Sequence, residues 1–65
     1  MNRFRILQSV KTKPGTARGG DAEGQGAEAG HVSLIDPTND DTVGVTWDTD
    51  GVQESIPTAD LIALS

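Results

Sequence analysis

Cysteine is absent from this chain, and histidine, tryptophan and phenylalanine occur once each. No disulfide can staple the fold, and no thiolate metal site can form. A single His31 is too few for the usual histidine-based zinc site, so neither metal nor cofactor is expected. Tyrosine is also missing. No stretch approaches the ~20 apolar residues of a membrane span. After Arg3 and Arg5 the apolar run is Ile6-Leu7 alone, whereas a secretory leader needs about 7–15 such residues. The expectation is a cytoplasmic protein with no membrane partner.

Basic residues are absent after position 20. Arg3, Arg5, Lys11, Lys13 and Arg18 all precede it, and all ten acids, from Asp21 to Asp60, follow it. The formal net charge is −5. Such asymmetry between two parts of a chain points to an interaction surface.

What is present is little and mostly β-forming. Sixty-five residues make one domain, 1–65, which buries only about 60% of its unfolded surface. The core must come from Phe4, Ile6, Leu7, Val10, Val32, Leu34, Ile35, Val43, Val45, Trp47, Val52, Ile56, Leu61, Ile62 and Leu64. Burial against chain entropy comes out near zero for so small a core. A partner, or further copies of the chain, would add stability.

Period-two alternation predicts a strand over 3–12, with Phe4, Ile6, Gln8 and Val10 inward. Arg3, Arg5, Lys11 and Lys13 then form one basic outward edge, and Leu7 marks a bulge or a contact outside the core. Residues 14–30 hold Pro14 and six of the eight glycines, and predict a long loop, either functional or disordered. Gly24-Gln25-Gly26 with Gly30 matches neither dinucleotide nor P-loop spacing. A second strand is expected over 31–36, with Val32 and Leu34 inward and Ile35 outward. Asp36-Pro37-Thr38-Asn39-Asp40-Asp41 is a turn cluster. Val43, Val45 and Trp47 alternate in a third strand over 42–48, which makes Trp47 a core residue. Asp50-Gly51 predicts a two-residue hairpin into a fourth strand over 52–56. Pro57 ends it, Thr58-Ala59-Asp60 suits a 3-10 turn, and Leu61–Leu64 closes the chain as a fifth strand.

Gly30-His31-Val32, Val45-Thr46-Trp47-Asp48, Asp50-Gly51 and Ile56-Pro57 followed by Asp60-Leu61 follow one another in an order that resembles SH3-like small barrels, including KOW-type domains. The resemblance covers about half the chain. It implies an all-β, five-stranded SH3-like barrel, with the Gly-rich loop between strands 1 and 2 and a 3-10 turn before the last strand. It says little about activity, because one fold hosts many functions. Peptide-binding SH3 domains use an aromatic-lined groove, but Phe4 and Trp47 both fall on inward faces here. KOW-type barrels often touch nucleic acid or ribosomal partners, which needs basic surface. A sequence pI of about 4.4 argues against nucleic acid.

Catalysis finds no support. His31 has no Ser, Cys or acid partner in a catalytic arrangement. Asp48-Thr49-Asp50-Gly51 with Glu54 lacks the calcium-loop spacing and reads as a turn. The chain is therefore expected to be a non-enzymatic protein-binding or assembly module, of a kind that would suit a phage or other mobile-element accessory protein. The candidate partner-binding residues are Arg3, Arg5 and Lys11 on the basic strand, Asp21 and Glu23 in the loop, and Asp40, Asp41, Asp48 and Asp50 in the acidic turns. A basic strand meeting an acidic hairpin on another copy would build a homo-oligomer head to tail. The alternatives are an acidic inhibitor that mimics nucleic acid and, from the resemblance, a KOW-type barrel associated with nucleic acid or the ribosome.

Overall fold

The computed structural model describes residues 4–16 and 18–64. Five antiparallel strands form one sheet: β1 (Ser9–Thr12), β2 (Ala29–Leu34), β3 (Thr42–Trp47), β4 (Gln53–Pro57) and β5 (Leu61–Ala63). Their spatial order is β4-β3-β2-β1-β5. A single 3-10 turn, Thr58–Asp60, joins the two edge strands. That connection constrains the sheet. Laid flat, five strands put their edges roughly 19 Å apart. Three residues at the 3-10 rise cover only about 8 Å from Pro57 to Leu61. The sheet must therefore coil strongly about the core. β4 and β5 do not pair with each other.

Phe4, Val10, Val32, Val43, Val45, Trp47, Ile56 and Leu61 form the core. Val43, Val45 and Trp47 alternate inward along β3 as their period predicts. Gly30 lies opposite both Val10 and Trp47. A Cβ at Gly30 would lie 2.5 Å from the Thr46 carbonyl oxygen and 3.0 Å from Val45 Cγ1. The backbone cannot yield there cheaply. Gly30→Ala is expected to cost about 1–3 kcal/mol by overpacking, read as a lower midpoint in urea denaturation.

Three features depart from the sequence reading, and β2 runs Ala29–Leu34 rather than 31–36. β1 starts at Ser9 rather than at residue 3. Leu7 adopts φ 70°, and Gln8 N–H donates to the Arg5 carbonyl at 3.1 Å. The chain turns at Ile6-Leu7, so the alternation is broken and Ile6 is exposed. The continuous basic edge does not form along this strand. In β2 the register shifts between Val32 and Leu34. One irregular residue reverses every later facing. Leu34 therefore points out, 57% exposed, and Ile35 packs on the core. The Asp50-Gly51 turn is wider than a two-residue hairpin. Trp47 N–H donates to Val52 O at 3.0 Å, and Gly51 N–H returns to Trp47 O at 2.7 Å.

The Gly-rich segment is built from consecutive turns. Asp21 Oδ1 accepts the N–H groups of Glu23 and Gln25 at 2.9 and 3.0 Å. Gly15 N–H donates to Asp21 O, Asp21 N–H to Gln25 O, and Glu28 N–H to Arg18 O. Gly15, Gly20, Gly24 and Gly26 all take positive φ. That conformation costs glycine nothing and other residues more.

Candidate binding surface

Arg18 is the one basic residue that lies in the loop proper. Its guanidinium lies over the Trp47 ring, 5.0 Å from the centroid. Nη1 donates to Glu28 Oε2 at 2.9 Å, and Nη2 meets Asp50 Oδ2 at 3.1 Å. Nε donates to Glu54 Oε1. Glu28 ends the loop, Asp50 sits on the hairpin and Glu54 on β4. One cation therefore ties three segments beside Trp47 at the hairpin end of the core. Glu28 also accepts a bond from Thr49 Oγ1 at 2.8 Å. The Asp50 carboxyl is held below its ordinary value, first by the Val52 N–H and then by Arg18. Sequence reading places Arg18 in the Gly-rich loop, apart from the basic edge of Arg3, Arg5, Lys11 and Lys13. Only its three-dimensional position, with Glu28 and Glu54 brought beside it, reveals the clasp. Among the described residues no cluster of three His, Cys, Asp or Glu side chains could hold a metal ion.

The residues singled out from sequence are therefore not one site. Asp48 and Asp50 share the hairpin, with His31 Nδ1 3.5 Å from Asp48 Oδ1. Asp40 and Asp41 lie at the other end of β4. There the Asp41 carbonyl accepts Thr58 N–H at 2.8 Å, and the Asp40 carbonyl accepts Thr58 Oγ1–H at 3.1 Å. Asp21 is occupied in shaping the loop, and Glu23 is exposed on it. Arg5 is exposed before the Ile6-Leu7 turn, and Lys11 is half-buried on β1. Arg3 lies outside the described residues.

Between the two acidic ends runs β4, the terminal strand of the sheet. Four of its five residues are exposed, and only Ile56 is buried. The Trp47–Val52 bond fixes the alternation: Val52, Glu54 and Ile56 turn their backbone groups toward β3. Gln53 and Ser55 turn theirs away, and Pro57 offers outward only a carbonyl. Beside this edge, on the outer face, a cleft of about 150 Å3 is lined by Leu34, Asp36, Asn39, Thr42, Val43, Gly44 and Ser55. Its floor is open because position 44 has no side chain. A Cβ there would stand 2.7 Å from Leu34 Cβ and from Gln53 Nε2. No single residue type announces this cleft in the sequence. It depends on the β2 irregularity that turns Leu34 outward.

No protein-family model, curated protein or solved structure matches the chain. Among the described residues no helix is long and apolar enough to cross a membrane.

Proposed function

We propose that this chain is a non-enzymatic protein-binding module on an SH3-like barrel, and that it engages a partner by strand addition to β4. The β4-β3-β2-β1-β5 order with a 3-10 turn joining the edge strands supports the barrel reading. One observation carries the binding reading: among the described residues β4 is an exposed edge that no further strand pairs, and a cleft adjoins it. An open edge offers a row of backbone donors and acceptors, and an extended segment can complete it. The Arg18 clasp weighs against a nucleic-acid mimic, because it consumes carboxylates that such a surface needs exposed.

Ser55→Pro tests the mode. Residue 55 directs its N–H to solvent, where proline is tolerated on an edge strand. The domain is expected to keep its melting temperature within a few degrees. Extended peptides selected from a random display library against the native domain are expected to lose at least tenfold in affinity for the variant. Undiminished binding of every selected peptide by a folded Ser55→Pro domain overturns strand addition.

A further inference from the structure

Resting on the reading of β4 as a binding edge, we infer that the adjoining cleft takes a lysine or arginine side chain from an extended, basic segment of a different protein. The cleft is amphipathic in one direction. Leu34 and the bare Gly44 backbone give it an apolar wall and floor, and Asp36 and Asn39 stand on its rim. At about 150 Å3 it has the size of a cavity that holds one six-carbon ring. It admits one long side chain and no more. A lysine or arginine fits that profile, with an aliphatic stem for the wall and a cationic head for the rim.

The rim carboxylate is prepared for a cation. Asp36 Oδ1 accepts Thr38 N–H at 2.9 Å and Thr38 Oγ1–H at 2.7 Å. Both bonds favour the ionised form, and the Asp36 carboxyl lies below its ordinary value, chiefly through the Thr38 hydroxyl. Both bonds are accepted by Oδ1.

Access comes from the edge. Ser55 lines the cleft and belongs to the terminal strand. A strand added to β4 stands about 4.8 Å beyond it. From the position opposite Ser55, a side chain on the outer face passes Ser55 and meets Gly44 beside the Gln53 side-chain amide, which lies against it. Acidic turns flank the same edge, Asp48 and Asp50 at one end and Asp40 and Asp41 at the other. Arg18 offsets Asp50 and Glu54 at the hairpin end, so the excess negative charge lies at the cleft end, on Asp36, Asp40 and Asp41, which selects a basic segment and repels an acidic one.

Charge and topology also decide against a second copy as the occupant. Two-fold pairing of β4 with itself would bring the hairpin acids of one copy to the Asp40-Asp41 turn of the other. Lys11 lies on β1 and Lys13 directly after it, and β1 is paired on both sides, by β2 and β5. Among the described residues no basic strand is free to add.

The probe is the heptapeptide Thr-Val-Thr-Lys-Thr-Val-Thr, compared with its counterpart carrying norleucine in place of lysine. Each is titrated by NMR into the native domain, Asp36→Asn and Ser55→Pro, at low salt. Asparagine keeps an acceptor for Thr38, so Asp36→Asn is expected to remain folded, checked by its amide spectrum. The lysine peptide is expected to bind about twofold to fivefold tighter than the norleucine peptide, as suits one exposed ion pair. That preference should vanish in Asp36→Asn, and both peptides should fail on Ser55→Pro. If norleucine binds as well as lysine, and only Ser55→Pro weakens both, the cationic cleft is wrong and strand addition stands. If binding ignores Ser55→Pro, or neither peptide binds, both the cleft and the edge reading fall. If added protein dimerises through β4 instead, the occupant is a second copy and the inference is overturned.

Discussion

Trp47→Ala is expected to leave the domain largely unfolded at 25 °C. Trp47 is fully buried in the core, packed under Arg18 and opposite Gly30. Truncating a buried Trp to Ala typically costs about 3–5 kcal/mol, because lost transfer energy and an unfilled cavity add together. A chain of 65 residues has a total stability of roughly 3–10 kcal/mol at typical per-residue values. The loss is therefore comparable to everything the fold has. No disulfide or other large core exists to absorb it. Far-ultraviolet circular dichroism with a urea titration measures the outcome: the native baseline should be short or absent. Trp47→Phe separates volume from chemistry. The indole Nε1–H is buried with no hydrogen-bond partner, and an orphaned donor carries a desolvation penalty. Phenylalanine gives up some volume and also removes that penalty. Its urea midpoint should fall much less than that of the alanine variant.

The strands were legible from sequence where a clean period met a clean turn. Val43-Gly44-Val45-Thr46-Trp47 has alternation that nothing interrupts, and β3 forms over Thr42–Trp47. Pro57 followed by Thr58-Ala59-Asp60 gave the 3-10 turn at the residues where it occurs. Legibility failed where a single backbone irregularity reset the period. At Arg5-Ile6-Leu7-Gln8 the second apolar residue marks a break in the period, but it does not tell that Leu7 takes φ 70° and the chain turns, which delays β1 to Ser9. Val32-Ser33-Leu34-Ile35 is apolar at three of four positions, so either parity is consistent with it. The shift between Val32 and Leu34 chose the one that buries Ile35. That choice also exposes Leu34 and opens the cleft over Gly44. The candidate site was therefore legible only at its ends, as the acidic turns. Its edge and cleft depend on strand order, which composition does not encode. Arg18 belongs to the same class. Sequence places it among glycines, 36 positions from Glu54, and only the folding of the loop back over β4 joins them.

Arg18→Ala is expected to detach the loop from an otherwise intact sheet. A lone surface ion pair is worth little, but this cation is shared by three carboxylates on three segments. Removing it leaves Glu28, Asp50 and Glu54 close together with their mutual repulsion uncompensated. Trp47 loses its cover at the same time. Hydrogen exchange should show lost protection at Gly15, Asp21 and Glu28, whose N–H groups bond within the loop. Amides of the β2–β3 ladder should keep theirs. Arg18→Gly sharpens the test. Arg18 holds φ 65°, where glycine is at ease, so this variant relieves the backbone while it loses the guanidinium. If Arg18→Gly protects the loop as well as the native chain does, the clasp is not what holds it. Acid should reproduce the release by titration. The Asp50 carboxyl lies below its ordinary value of 3.8, through the Val52 N–H foremost and then Arg18. A depressed folded value means that its contribution is complete above the unfolded value and is lost as pH falls through the folded one. The loop should therefore hold at neutral pH and loosen only below about pH 4. The emission of Trp47 should shift as the indole gains solvent. In Arg18→Ala that acid step should shrink, because the loop is already free. What remains should be confined to the hairpin, where the Val52 N–H still bonds Asp50 at 3.0 Å.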